Sequence, residues 1–491
     1  MQFNSSLFVM LFLPLLLVIY YAVPNKYKNL ILLASSIAFY AWGEPIYCFM
    51  LIISLIVNHV LGKYIAESKD NNRKLFLILS IVFNLGVAAV FRYAAFLCIS
   101  LREFISLFWM GLGSFVPVVE YGMPFGVAIF TIQAISYSVD IYKGAPRREN
   151  FVDTGLYLAF FPNLIVGPAL KYNSMIPQIE NREYNLKNIS EGLLRFASGL
   201  IKIVLVANNL KIVVDGIFSL TKTSLSIAIS WTGVICLALQ VLYEFTGYVD
   251  MAIGLARIFG FVLPEEFNNP YGAKSVTDFW TNRWRVSLSA WFKEYIYIPL
   301  GGNLKVGGNE HSRKWMYINM GITIFLCALW HKASWIAILV GIYFGFFLMI
   351  EKTRRVERIK AKVPAKVGRV LGNIYAVAVV VLGWMMLRVD SVSQLWSFIR
   401  AMAGFGYINT RMGIRELFDN ESFIIFIFAL IFALPFTKTL LTKLYTKLKE
   451  KFAWFENIYR PVYVIAVTAI LAFTVLSLSS GENSVFEYFR Y

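Results

Sequence analysis

His331 is the residue with the clearest capacity for chemistry. It lies between Trp330 and Lys332 in LCALWHKASW (Leu326 to Trp335), at the junction of two apolar runs. An imidazole with an ordinary pKa of about 6.5 accepts a proton from a hydroxyl at neutral pH. By residue type alone, a lone histidine in such a run is more often a hydrogen-bonded core residue than a base. Cys327 falls one helical turn earlier, on the same face of a regular helix. It is one of four cysteines (Cys48, Cys98, Cys236, Cys327), none at metal-ligand spacing, and all read as small buried thiols. The other histidines, His59 in LIVNHVLGKYI and His311 in GGNEHSRK, read as solvated or headgroup-contacting.

A second block runs from Asp278 to Asn303. It carries Asp278, Arg283, Arg285, Lys293 and Glu294 among Trp280, Trp284, Trp291, Phe292 and Tyr297. Charges of both signs at this density do not span lipid. They fit a helix tilted into a water-filled funnel, or an amphipathic surface helix with tryptophan anchors, and both readings stay open. Pro299 and Gly301–Gly302 end the block. A third stretch, FFPNLIVGPALKY (Phe160 to Tyr172), holds Pro162, Gly167 and Pro168, which break any regular span. Broken backbone at membrane depth is tolerated where protein buries it or where it lines a cavity; an ordinary loop is the plainer reading. The tail VFEYFRY (Val485 to Tyr491) ends on a tyrosine, with Phe489 two residues before, and a tail this aromatic prefers to dock.

These residues must be positioned by membrane helices. The 491 residues are 58% hydrophobic and 15% charged, with mean hydropathy +0.63, which defines an integral membrane protein. Apolar runs at roughly 6–23, 29–42, 46–62, 74–91, 122–142, 191–214, 226–243, 314–330, 332–350, 371–388, 421–437 and 459–479 approach the ~20 residues needed to cross lipid. The runs 95–119 and 151–168 carry Pro or charge and read as interfacial or broken. The fold expected is all-α, polytopic, with about eleven to thirteen transmembrane helices. It forms one membrane domain over 1–491: a core of 122–390, N-terminal helices over 1–121, and C-terminal helices and tail over 391–491. The first run lacks a basic leader and a small-residue cleavage site, so it is expected to be a membrane helix and not a signal peptide.

The net charge is +17. Basic residues cluster in short loops between apolar runs, so the charge encodes topology and lipid contact, and no nucleic-acid partner is expected. The most basic loops, Lys352 to Arg369 and Lys438 to Lys451, are placed in the cytoplasm with Lys26/Lys28, Lys63 to Lys74 and Lys143 to Arg148. The N-terminus, the segment 389–420 and the C-terminal tail then fall outside. Leu395, Trp396, Phe398, Ile399 and Met402 outline an interfacial helix in that outer segment.

Taken in order, these stretches resemble the membrane-bound O-acyltransferase superfamily, and within it the bacterial alginate O-acetyltransferase branch. MQFNSSLFVMLFLPLLLVIYY, SSIAFYAWGEP, MPFGVAIFTIQAISYSVDIYKG, the Gly167–Pro168 segment and GYVDMAIGLARIFGF carry the likeness. The strongest blocks are Asp278–Asn303 with YIPLGGN, and ALWHKASW. The resemblance implies a ring of membrane helices around a thinned centre with funnels from both sides, and interfacial or re-entrant helices. It assigns His331 as the central histidine. The family's upstream histidine position is Arg285 here, 46 residues earlier. A guanidinium is no base, but it can bind phosphate or stabilise an oxyanion. Asn282 and Asn303 are substitutes for that second site, and Trp330 is assigned with them to substrate or oxyanion binding. A further family histidine position is Phe344 here, so that position is expected to be dispensable.

The implied activity is transfer of an acetyl group from a cytosolic thioester, acetyl-CoA or an acyl carrier protein, to a cell-envelope or secreted polysaccharide. Basic residues near the inner face would attract the donor's phosphates. Neither a bound cofactor nor a metal is expected. The tail resembles the branch's C-terminal aromatic pattern, which would make Tyr491 an acyl relay activated by His331. The acetyl group would then pass to an extracytoplasmic partner transferase of the SGNH/GDSL type or directly to the polysaccharide, at a bacterial inner membrane. Two rivals fit the composition. A flippase for lipid-linked sugars lacks an obvious internal repeat with paired broken helices. A non-catalytic scaffold would make Arg285 a mark of lost chemistry.

Overall fold

Inside lipid every backbone N–H and C=O must be paired within the protein, which leaves helices or closed barrels. This chain uses helices. The computed structural model describes residues 2–109, 111–117, 124, 126–302, 311–331, 334–389, 391–406, 413–452 and 454–479. The helices are α1 (Leu13–Ala22), α2 (Asn25–Gly43), α3 (Pro45–Glu67), α4 (Asp70–Phe108), α5 (Val127–Tyr142), α6 (Phe151–Ala159), α7 (Phe161–Leu164) and α8 (Tyr172–Glu180). They continue with α9 (Leu186–Ile201), α10 (Asn208–Phe218), α11 (Ile227–Ile258), α12 (Val276–Asn282), α13 (Val286–Phe292), α14 (His311–His331) and α15 (Trp335–Glu351). The C-terminal third holds α16 (Arg354–Lys362), α17 (Ala365–Arg388), α18 (Val392–Arg400), α19 (Asn420–Ala433), α20 (Pro435–Lys451) and α21 (Phe455–Ser479). Among the described residues there is no strand beyond an isolated bridge between Phe267 and Trp284.

Among the described residues, six helical stretches are long and apolar enough to cross a membrane: Pro45–Glu67, Asp70–Phe108, Leu186–Phe218, Ile227–Ile258, Ala365–Arg388 and Phe455–Leu476. Five shorter apolar helices join them: Phe8–Ala22, Val127–Tyr142, Lys314–Trp330, Trp335–Glu351 and Asn420–Ala433. All eleven coincide with expected apolar runs, and the twelfth run, 29–42, lies within α2. The all-helical, many-pass architecture is as the sequence leads one to expect.

Three details differ. The run after residue 95 continues α4 without a break to Phe108, giving a 39-residue helix, about 58 Å long at 1.5 Å per residue. The expected cytoplasmic loop from Lys438 to Lys451 is helical, because Pro435 starts a new helix rather than a coil. The span expected at 226–243 extends to Ile258, through most of GYVDMAIGLARIFGF.

That extension creates the tightest helix pair. α9 and α11 run antiparallel with glycines facing backbone. A Cβ added at Gly254 would lie 2.6 Å from the Phe196 nitrogen and 2.7 Å from the Gly192 oxygen, and one at Gly199 would lie 2.5 Å from the Gly247 oxygen. Small residues at such faces let membrane helices approach closely enough for dispersion to hold them. Arg195 spans the same pair, bonding Asp250 at 3.0 Å and reaching Glu265 beyond it. Gly254→Val should therefore destabilise the protein by about 1–3 kcal/mol or more through overpacking. The readout is a lower thermal midpoint in detergent; a midpoint equal to that of the unmodified protein would count against this packing.

α3, α4 and α5 are joined by polar contacts inside otherwise apolar helices. Asn58 and Asn84 exchange amide hydrogen bonds at 3.0 and 2.8 Å, and the Ser80 and Ser138 hydroxyls lie 2.6 Å apart. All four side chains are buried. In the absence of water these pairs satisfy groups that lipid cannot.

Candidate active site

The broken segment is the buried floor on which the Arg285 turn rests. α6 stops at Phe160, α7 lasts one turn with Pro162 near its start, and the chain then runs without helix to Tyr172. From Phe160 to Leu170 every residue is buried. Non-helical backbone at this depth needs outside partners for its polar groups. The Asp278–Asn303 block supplies them. Arg285 donates through Nη1 to the Val166 carbonyl at 2.7 Å and through Nη2 to the Gly167 carbonyl at 3.3 Å. The Ser287 hydroxyl accepts from the Ala169 N–H at 2.7 Å, and Lys171 pairs with Glu294. Tyr157 adds a bond from its hydroxyl to the Leu170 carbonyl at 2.9 Å.

Arg285 can reach those carbonyls because the block is not one helix. α12 and α13 are separated at Arg285, which adopts φ 47° and ψ 53°. A side chain other than glycine at positive φ is uncommon and strained, and such residues concentrate at functional sites. The turn is held by Val286 N–H donating to the Glu266 carbonyl at 3.1 Å and Asn268 N–H to the Arg283 carbonyl at 3.0 Å. Glu266 also forms an ion pair with Arg285 Nε at 3.6 Å, both side chains being buried. Burial raises the Glu266 carboxyl above its ordinary value against the pull of Arg285. The guanidinium expected to bind phosphate or an oxyanion thus faces two carbonyls and a carboxylate of its own chain.

Asn282 is placed apart from this. It is exposed and donates to Asp278 Oδ1 at 3.1 Å. Burial pushes the Asp278 carboxyl up, but hydrogen bonds from Asn282, the Lys274 N–H and Arg283 outweigh it and hold the group below its usual value. Asp278 belongs to the first turn of α12, whose N-terminus is also capped by Glu351: its carboxylate accepts from the Val276 and Thr277 N–H groups at 2.7 and 2.9 Å. An anion at a helix N-terminus is favoured by the exposed N–H groups and the helix dipole. The far end of α15 is thereby fixed to the block.

The end of α14 closes the constellation. A small apolar cluster of Ile129, Ile132, Ala169, Leu288, Trp291 and Phe292 receives Cys327 and Trp330 on its surface. Trp330 donates from Nε1 to the Ala128 carbonyl at 3.2 Å and meets Phe292 edge-on, with ring centroids 6.3 Å apart. The last residue of α14 is His331; its backbone is described, whereas its side chain, like Asn303 and Tyr491, lies outside the described residues. Beneath the cluster Trp291 donates to Ser136 Oγ at 2.6 Å. The Tyr295 hydroxyl, within a π-helical turn over Lys293–Tyr297, donates to Asp140 at 2.7 Å. Phe344 is buried against Trp280, edge-on at 5.0 Å.

The structure therefore bonds the Arg285 turn to the buried segment 166–169 and brings the end of α14, through Trp330 and Cys327, to the apolar cluster that includes Ala169. Sequence reading had not singled out Glu266, Ser287, Asp140 or Tyr93. The signal for Asp140 and Tyr93 was present: each is a polar side chain in an apolar helix.

Fold and motif blocks together define a multi-pass integral membrane acyltransferase. The sequence matches the MBOAT, membrane-bound O-acyltransferase family, over residues 33–390, and the chain belongs to that family. It is 36% identical over 409 residues to a protein of Azotobacter vinelandii named probable alginate O-acetylase AlgI, covering 83% of this chain and 79% of that one. It is 30% identical to a peptidoglycan O-acetyltransferase of Helicobacter pylori, over 83% and 80% of the two chains. It is also 25% identical to a teichoic acid D-alanyltransferase of Streptococcus thermophilus, over 46% of this chain and 56% of that one.

Proposed function

We propose that the protein takes an acetyl group from a cytosolic thioester, acetyl-CoA, and delivers it across a bacterial inner membrane for O-acetylation of a cell-envelope or secreted polysaccharide. The observation that carries this reading is the position of His331. It ends α14 where that helix meets the apolar cluster of α5, α13 and Ala169, in a chain similar over 83% of its length to proteins named O-acetylase and O-acetyltransferase. His331 takes the proton of an attacking hydroxyl. The hydroxyl oxygen bonds to the thioester carbonyl carbon, the carbon–sulfur bond breaks, and the thiolate leaves with the proton His331 had accepted. Trp330 borders the acyl path. Arg285 works as a positioning residue that holds the Val166 and Gly167 carbonyls.

The first acceptor in this reading is the Tyr491 phenol, on a tail that the basic loops of the sequence lead us to put on the outer side. The acetyl ester then passes to a partner transferase of the SGNH/GDSL type, or directly to an alginate-like polymer or peptidoglycan. The test is mass spectrometry on the C-terminal peptide after purified protein is incubated with labelled acetyl-CoA. An acetyl adduct on Tyr491, absent in H331A, is the expected result. No adduct in protein that still binds the thioester would remove Tyr491 from the pathway and leave His331 acting on an external hydroxyl.

A further inference from the structure

The carbonyls of a helix's last turn have no partner within the helix, and away from water they need a donor from elsewhere. α14 ends at His331, so Leu329 lies in that turn. Its carbonyl accepts from the Tyr93 hydroxyl of α4 at 2.7 Å. Three residues along α4, Phe96 meets Trp335 edge-on with centroids 5.4 Å apart. Residues three apart share a helix face, so one face of α4 touches the chain on both sides of the corner between α14 and α15. Trp330 ties the corner to α5 through the Ala128 carbonyl. The two helices of the hairpin are themselves closely packed: a Cβ added at Gly341 would lie 2.4 Å from the Ala328 Cβ. Phenylalanine would fill the same space at position 93 without the hydroxyl. The bond to Leu329 is what the tyrosine adds.

We infer that Tyr93 is a positioning residue for acyl transfer: its hydroxyl fixes the last turn of α14, the turn that carries the His331 backbone. This rests on His331 being the base. The last turn of a helix places the Cα of the residue that ends it, and small misplacements of a catalytic group are costly in rate.

The test uses the full chain in lipid nanodiscs, following release of free thiol from acetyl-CoA, with H331A, Y93F and a variant carrying 4-aminophenylalanine at position 93 alongside the unmodified protein. Y93F should lower kcat about tenfold with KM for acetyl-CoA within about twofold, because donor binding does not depend on the bond. The aminophenyl side chain keeps the ring and an N–H donor at the same reach and should restore kcat to within about threefold of the unmodified value. Normal kcat in Y93F beside an inactive H331A would overturn the role of Tyr93 and leave His331 standing. So would equal losses in the two position-93 variants, since one of them keeps the donor. An active H331A would overturn the base assignment, and this inference with it. If Y93F does not accumulate, the aminophenyl variant decides alone: kcat within about threefold supports the bond, and anything lower overturns it.

Discussion

Replacing His331 by Ala should leave a protein that reaches the membrane in normal amount and transfers no measurable acetyl group. Removing a general base costs about 10²–10⁴ in rate, and neither of the other histidines is placed beside His331: His311 begins the helix that His331 ends. The other histidines are His59 and His311. His59 Nδ1 lies 3.3 Å from the Thr154 hydroxyl and its Nε2 lies 3.5 Å from an Arg147 nitrogen, so it belongs to the contacts among α3, α6 and the chain that joins α5 to α6. The measurement is acetyl transfer per mole of membrane-inserted protein, with thermal unfolding as the control. Retained transfer would end the assignment of His331 as base. A loss of transfer matched by a loss of folded protein would make the residue a core histidine, the commoner role for its type.

The second large effect is expected at Arg285. Arg285→Met removes two hydrogen bonds to carbonyls and leaves Glu266 buried beside no cation. Breaking a buried pair from one side costs about 3–5 kcal/mol, most of it from the charge left behind. The thermal midpoint should fall sharply, and Glu266→Gln in the same chain should recover a large part of it, because the uncompensated charge is gone. Activity should not return in the double variant, since the Val166 and Gly167 carbonyls still lack their donors. Arg285→Lys is not conservative here: an ammonium cannot fork between two carbonyls as a planar guanidinium does. If Arg285→Met were as stable as the parent and lost only activity, the guanidinium would instead be acting on substrate.

Much of the architecture was legible in the sequence, because apolar runs near twenty residues in length have few alternatives to a membrane helix. The likeness of LCALWHKASW and of the Asp278–Asn303 block to one family was legible for the same reason: each is an unusual concentration of charge and tryptophan inside an apolar chain. What was not legible is pairing at a distance. Arg285 finds its carbonyls 119 and 118 residues away, and Tyr93 finds Leu329 236 residues away. No local pattern marks such partners. The break at Arg285 was hidden too, since nothing in TNRWRVSL contains the glycine or proline that ordinarily announces a left-handed turn. The glycines of α9 and α11 were visible one by one, but only the antiparallel alignment shows that Gly192 faces Gly254 and Gly199 faces Gly247.

The reciprocal amide pair between Asn58 and Asn84 bears on how the chain is made. Each asparagine is carried by a helix that is apolar enough to enter the bilayer, and each amide bonds the other as well as a carbonyl one turn earlier in its own helix. A helix released alone into lipid would hold an amide with no matching group on a neighbour. α3 and α4 are separated by only two residues, Ser68 and Lys69. The two are thus suited to leave the insertion machinery together as a hairpin, already joined through Asn58 and Asn84, before α5 arrives with Ser138 to complete the contact.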